Sequence, residues 1–254
     1  PRILKECATS LTVPLTKIFN KSLSTGIVPT SWKQATLTPI FKKGSRKAPG
    51  NYRPVSLTSE CCKVMESLVR IRIVDHMAEN DLFCKEQHNF VAGRSCVTQL
   101  LSVIEAWPEV LDRGESIDVI YFDFQKTFDS VAHKRLLQKI RSYGISGDVI
   151  LWLEAYLSNR SQQVVVNGAK SSWSQVTSGV PQGSVIGPLL FLIYINDMPS
   201  VVNKCVMLFA DDTKLFSSVA SQNDCELLQH DIGQLQLWAN MWQLKFHPKK
   251  CKVM

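Results

Sequence analysis

The stretch Val119-Ile-Tyr-Phe-Asp-Phe-Gln-Lys-Thr-Phe-Asp-Ser-Val131 decides how the rest of the chain is understood. Over residues 117–124 side chains alternate at period two, so Val119, Tyr121 and Asp123 share one face and Ile120, Phe122 and Phe124 the other. The apolar run predicts a strand buried on both faces that ends in the carboxylate of Asp123. A second apolar run, residues 205–210, leads into Asp211, Asp212 and Thr213, and residues 214–219 form its returning strand. If both strands end side by side in one sheet, three carboxylates meet at one place. Two-metal phosphoryl chemistry needs such a cluster, and Mg²⁺ favours hard oxygen ligands. A lone aspartate at a strand end is ordinarily a turn cap. Two adjacent ones in an apolar hairpin repel each other unless a cation compensates.

Working outward, 254 residues at 45% hydrophobic suffice for one large or two small cores. The longest apolar run, residues 185–195, stops at Asn196 and Asp197, short of the roughly 20 residues of a membrane-spanning helix. The eight cysteines include no CxxC pair and no histidine at zinc-finger spacing, which points to reduced thiols in an intracellular protein. No signal peptide is evident, and the chain begins at Pro1, as a piece of a longer polyprotein would. The charge is polarised. From Cys7 to Ser59 there is no acidic residue, whereas Lys17, Lys21, Lys33, Lys42, Lys43, Arg46, Lys47 and Arg53 are all basic. The remainder is close to neutral, so the first quarter of the chain suits a polyanion.

Residues 10–25 carry an amphipathic stripe of Leu11, Leu15, Ile18, Phe19 and Leu23, with Gly26 as stop. Residues 35–41 suggest a short strand, followed by a Gly/Pro/Lys loop through Pro54. Helices are expected over 62–77, with Val64, Leu68, Ile71 and Val74 inward, and over 98–111, from about 130 to Gly144, over 149–157 and over 225–241. Asn167-Gly168 predicts a type I′ hairpin turn with a return strand over 172–177. After the loop Gly179-Val-Pro-Gln-Gly183, Pro188 opens an apolar helix ending at Asn196.

Several strings occur in an order and spacing that carries a resemblance: Tyr52-Arg-Pro-Val-Ser-Leu57, the 119–131 stretch, Ser178-Gly-Val-Pro-Gln-Gly-Ser184, Gly187-Pro-Leu-Leu-Phe191, Ile195-Asn-Asp197 and Phe209-Ala-Asp-Asp212. Together they resemble successive motifs of reverse transcriptases from non-LTR retrotransposons, over nearly the whole chain. The resemblance implies an α+β right-hand polymerase with an antiparallel palm sheet and packed helices. Residues 1–116 would be mainly fingers and 117–254 mainly palm, with 150–180 a candidate for returning to the fingers. The chain would be truncated before the thumb, and would lack the endonuclease of many such elements. The implied activity is RNA-directed DNA polymerisation, with RNA template, DNA primer and dNTP as partners and no membrane. Two Mg²⁺ ions, or Mn²⁺, would serve as cofactors. Priming on chromosomal DNA implies access to the nucleus.

Carried over residue by residue, Asp123, Asp211 and Asp212 resemble the metal-binding carboxylates. Phe128 resembles the aromatic gate that clashes with a ribose 2′-hydroxyl; Asp129, next to it, reads as a cap of the helix or of its entry turn. Gln182 resembles the residue that positions the incoming nucleotide. Lys42 or Lys43, together with Arg53, resembles the triphosphate grip, for which a forked guanidinium and a mobile ammonium are suited. In His247-Pro-Lys-Lys-Cys251, Lys250 resembles a general acid for the leaving pyrophosphate. Two places depart from the family pattern. Gln87-His-Asn-Phe90 and Val91-Ala-Gly-Arg-Ser95 stand where a Gly-Phe-Arg-like string is usual, which puts template contacts at Phe90 and Arg94 in question, and His247 stands where Asn is usual. A catalytically silent copy that only binds nucleic acid, and an RNA-dependent RNA polymerase sharing the same acidic hairpin, are the competing functions.

Overall fold

The computed structural model describes residues 2–254. In chain order the helices are α1 (Arg2–Glu6), α2 (Ala8–Thr25), α3 (Thr30–Lys33), α4 (Glu60–Glu79), α5 (Cys96–Asp112), α6 (His133–Ser142), α7 (Gly147–Leu157), α8 (Gly187–Ile195) and α9 (Gln222–Met241). The strands are β1 (Gln34–Phe41), β2 (Tyr52–Leu57), β3 (Ser116–Phe122), β4 (Arg160–Val166), β5 (Ala169–Lys170), β6 (Ser174–Val176), β7 (Cys205–Phe209), β8 (Asp212–Val219) and β9 (Lys252–Val253). The content is α+β, as the sequence implies.

The chain forms two compact units that interleave along the sequence. One runs through Asn80 and adds His133–Pro188; the other comprises Asp81–Ala132 and Leu189–Met254. These bounds do not fall at residue 116. Residues 81–116 belong with the acidic strands, because α5 packs Val103 against Val119 of β3 and Phe216 of β8. Residues 133–188 belong with the basic N-terminal part, because β4 pairs in parallel with β1 over Gln34–Leu37.

In the first unit the sheet order is β2-β1-β4-β5, with β6 also on β4. The loop expected through Pro54 is a strand from Tyr52 onward: β2 runs antiparallel to β1, with Pro54 opposite Pro39. Both prolines lack an N–H, and β2 accommodates its own because it is an edge strand. The Asn167-Gly168 turn forms as expected, with positive φ at both residues and β5 returning along β4.

α4 turns a different face inward from the one its aliphatic residues suggest. Val64, Leu68 and Ile71 are exposed, and the buried set is Cys62, Met65, Glu66, Val69, Ile73 and Met77. The buried stripe contains a carboxylate, so a count of apolar residues at helical spacing selects the wrong side. Ile18 of α2 is likewise exposed, whereas Phe19 is buried against Trp32.

The second unit is built on an antiparallel sheet of order β7-β8-β3-β9. One face of β3 and β8 is covered by α5 through Val103, Trp107, Val119 and Phe216. α9 begins three residues before the predicted helix, at a Ser221/Asp224 capping box. Residues 189–195 of α8 are almost wholly removed from water, at about 1.5–3 kcal/mol for each large side chain. Among the described residues no helix is long and apolar enough to cross a membrane.

Candidate active site

The register of the second sheet sets the acidic site. In the β3–β8 pair Phe122 lies opposite Thr213, so one step further along the antiparallel ladder brings Asp123 opposite Asp212. β7 and β8 are joined by the two-residue turn Ala210–Asp211, with Phe209 paired to Asp212. Hence Asp211 occupies the turn and Asp212 begins the returning strand. The three aspartates expected to meet do share one end of one sheet.

Each carboxylate has distinct surroundings. Asp123 is held from both sides of its backbone: its carbonyl accepts from His247 N–H at 2.7 Å, and the next residue, Phe124, bridges to Phe246, with their rings stacked 4.4 Å apart. Its side chain receives Lys250 Nζ at 3.0 Å on one oxygen and 3.2 Å on the other. Asp211 Oδ2 accepts from the hydroxyl of buried Thr127 at 2.8 Å. Asp212 is pushed above the ordinary carboxylate range, first by partial withdrawal of its carboxyl from water and then by the charges of Asp211 and Asp123, with Lys250 opposing.

The donor set fits hard divalent cations in kind: three carboxylates whose mutual repulsion is felt at Asp212, with a single ammonium among them. As placed, the oxygens do not converge. Among the described residues no three acidic, histidine or cysteine side chains are grouped closely enough to hold an ion. Asp123 is turned onto Lys250 and Asp211 onto Thr127.

Phe128 follows in a 3-10 turn, Thr127–Asp129, and its half-buried ring rests on Phe191 with centroids 4.8 Å apart. Asp129 ends that turn, three residues ahead of α6. Lys250 is delivered by the last segment of the chain, where β9 pairs with Ile120 and Tyr121 and Met254 exchanges both backbone hydrogen bonds with Val119.

The remaining predicted residues lie in the first unit. Lys42, Lys43 and Arg53 are exposed around the β1–β2 connection. This loop is shaped by Lys42 N–H donating to Asn51 O, by Tyr52 Oη donating to Arg46 O, and by the Arg46 guanidinium lying over Phe41. Gln182 is tied to the same sheet, since its carbonyl accepts from Ser56 N–H at 2.7 Å. Gly183 has φ +113, and a Cβ there would fall 2.7 Å from Ser56 O, so only glycine permits this approach. Gln182 and Arg53 thus ride on neighbouring pieces of one framework, separate from the unit that carries Asp123, Asp211, Asp212, Phe128 and Lys250.

Glu66 escaped the sequence, and Arg94 is placed otherwise than as a template contact. Glu66, wholly buried, accepts from Val185 N–H at 2.6 Å and Ile186 N–H at 3.3 Å with one oxygen, and from Tyr156 Oη at 3.1 Å and Cys62 Sγ at 3.4 Å with the other. It fixes the chain just beyond Gln182. Arg94, weighed as a template contact, instead donates through Nη1 to the carbonyls of Cys84, Lys85 and Gln87. The sequence marks neither, since Glu66 is one of several charged residues of α4 and Arg94 stands in an irregular stretch.

The family profile described as "Reverse transcriptase (RNA-dependent DNA polymerase)" matches residues 40–254. The chain belongs to the reverse transcriptase family. It is 31% identical over 252 residues to the "Probable RNA-directed DNA polymerase from transposon BS" and 32% over 243 residues to that from transposon X-element, both of Drosophila melanogaster. It is also 31% identical over 247 residues to the "RNA-directed DNA polymerase from mobile element jockey" of the same organism. In each case 93% of this chain is covered, but it spans only 27% of the relative's length. Among solved structures, apo telomerase from Candida tropicalis, truncated from its C-terminal domain, superposes with a TM-score of 0.66 at 12% identity, covering 96% of this chain and 55% of that one. That likeness bears on the fold alone.

Proposed function

We propose that the chain is the nucleotidyl-transfer core of an RNA-directed DNA polymerase of non-LTR retrotransposon type, adding dNTP to a DNA primer on an RNA template. The observation that carries this reading is the sheet register that sets Asp123 opposite Asp212 with Asp211 in the adjoining turn. In this reading the unit through Asn80 with His133–Pro188 acts as fingers and the other as palm. Asp123, Asp211 and Asp212 would hold two Mg²⁺ ions, or Mn²⁺. Bound there, the ions would activate the primer 3′-hydroxyl and neutralise charge on the leaving pyrophosphate.

The chain's own residues do the rest. Lys250 releases Asp123 and its Nζ gives a proton to the departing pyrophosphate. Phe128, braced by Phe191, lies under the deoxyribose and leaves no room for a 2′-hydroxyl. Gln182, fixed by the Ser56 and Glu66 contacts, positions the incoming nucleotide. Arg53 with Lys42 or Lys43 grips the triphosphate. Copying primed on chromosomal DNA places the work where the chain has access to the nucleus.

The test is single-nucleotide extension of a DNA primer on an RNA template with Mg²⁺, comparing the chain with an Asp211→Asn/Asp212→Asn double variant. Incorporation that the double variant abolishes is the expected result. Absence of incorporation by both, with RNA binding intact, would replace this reading by a silent nucleic-acid-binding copy.

A further inference from the structure

The turn that presents the acidic pair contains an anomaly. Ala210, directly before Asp211, has φ +54 and is buried. A non-glycine residue in the left-handed region costs roughly 1 kcal/mol or more and persists only where its surroundings impose it. Buried backbone N–H and C=O groups also need partners, and the two-residue turn leaves those of Ala210 outside the β7–β8 ladder.

Both groups are met by one side chain, 123 residues away in sequence. Gln87 Oε1 accepts from Ala210 N–H at 2.9 Å, and Gln87 Nε2 donates to Ala210 O at 3.4 Å. Gln87 is only 2% exposed, and its Oε1 also accepts from Asn89 N–H at 3.0 Å, so the amide is fixed. The backbone on either side is paired with the hairpin: Leu208 N–H donates to Glu86 O, and His88 N–H to Leu208 O, both at 2.9 Å. This makes a short parallel bridge along β7.

The irregular segment between α4 and α5 that carries Gln87 is itself anchored twice. Asn196, just past α8, accepts from Cys84 N–H at 2.9 Å and donates to Leu82 O at 2.7 Å. Arg94 ties together three carbonyls of residues 84–87. The anchors lead from Asn196 and Arg94 to Gln87, from Gln87 to Ala210, and from Ala210 to the two carboxylates that follow it.

We propose that Gln87 is a positioning residue for the acidic hairpin, its side-chain amide holding Ala210 in the left-handed conformation that sets where Asp211 and Asp212 project. Its relevance to catalysis rests on the polymerase reading above; its effect on Ala210 does not. Gln87 touches no substrate. It acts as a backbone clamp that substitutes for the glycine such a turn would otherwise use.

The experiment uses the full chain, isotopically labelled and free of divalent cations, as wild type and as Gln87→Met, which nearly conserves volume while removing both hydrogen bonds. NMR of Ala210 reports its backbone conformation from Cα and Cβ shifts and its protection from amide exchange. The variant is expected to lose the left-handed signature and to exchange the Ala210 amide about tenfold faster or more. With Mg²⁺, RNA template and primer, incorporation at saturating dNTP is expected to fall on the order of a hundredfold, the scale of a misplacement of roughly 1 Å, with KM for dNTP within about twofold. Adding Ala210→Gly to Gln87→Met is expected to restore incorporation by about tenfold, because glycine adopts positive φ unaided. General loss of stability would lower activity with the folded fraction and would not produce this pattern.

Retention of the Ala210 conformation and protection in Gln87→Met would overturn the proposal, as would a fall in incorporation that Ala210→Gly fails to reverse. If Gln87→Met does not fold, Gln87→Asn, which keeps a polar amide but is one methylene too short to reach Ala210 from the same backbone position, carries the same readouts with the same overturning results. Lack of incorporation by the wild-type chain would count against the polymerase reading alone, since the NMR comparison decides the clamp without activity.

Discussion

Lys250 Nζ lies 3.0 Å from Asp123 Oδ1 across 127 residues of chain, so the ammonium sits where positive charge is needed among three carboxylates. Backbone bonds around His247 bring it there: His247 donates to Asp123 O, and Lys250 and Cys251 donate back to His247 O. The pair is half-exposed, and such pairs contribute about 0.2–1 kcal/mol.

Lys250→Met is therefore expected to destabilise the cation-free chain by no more than about 1 kcal/mol in urea denaturation. The same substitution is expected to slow incorporation by about a hundredfold if Nζ is the acid for pyrophosphate. A rate unchanged by Lys250→Met would assign the lysine to charge balance alone.

The raised Asp212 sets a sign for pH dependence. A carboxyl whose folded pKa lies above its unfolded value favours the folded state below the unfolded value near 3.8, and that contribution is lost as pH rises through the folded value. In EDTA, Asp212→Asn is expected to be more stable than wild type at neutral pH, and the advantage is expected to vanish below about pH 4. Stability of both chains against pH checks this, and Asp212→Asn is expected to lose incorporation even as it gains stability.

Phe128→Ala removes the ring that packs on Phe191. Discrimination between dNTP and the matching rNTP is expected to fall by about ten- to a hundredfold, the range for loss of steric exclusion in a fitted pocket. Competition between the two substrates in single-nucleotide extension measures it, and unaltered sugar selectivity would remove the gate assignment.

Glu66→Ala takes the acceptor away from two backbone amides and from the Tyr156 hydroxyl in the core. Burial, and then the Glu66 charge, hold Tyr156 well above its ordinary pKa, so its hydroxyl stays a donor in need of an acceptor. Each unsatisfied buried group costs about 1–3 kcal/mol, so a loss of several kcal/mol is expected in urea denaturation. A change below about 1 kcal/mol would mean that water replaces the carboxylate.

Charge reversal at Lys42, Lys43 and Arg53 is expected to weaken RNA binding and flatten its dependence on log salt by about 0.7 for each lost contact to a single strand. An unaltered slope would leave these side chains merely solvated.

The acidic site was largely legible in the sequence because its signals are local. Alternation at 119–122 and the adjacent aspartates each lie within a few residues, and the succession of motifs supplied the family, whereas the turn expected at 211–213 falls at 210–211 and Asp212 opens the returning strand. The edge strand with Pro54 was not legible, because a proline is excluded only from a strand paired on both sides, and edge position is a property of the sheet. α4 was misread because its inner face includes Glu66, which becomes a core residue only once Val185, Ile186 and Tyr156 surround it.

By itself the sequence determined that an apolar strand leads into Asp123, that a hairpin carries Asp211 and Asp212, and the reverse transcriptase family, since these follow from side-chain periodicity, backbone preference and motif order. Tertiary structure alone decided the interleaving of the two units, the pairing of Lys250 with Asp123 and the hold of Gln87 on Ala210. The partners in the last two lie more than 120 residues apart. No local pattern encodes such a contact, because a buried amide or charge finds its partner only when distant segments close around it.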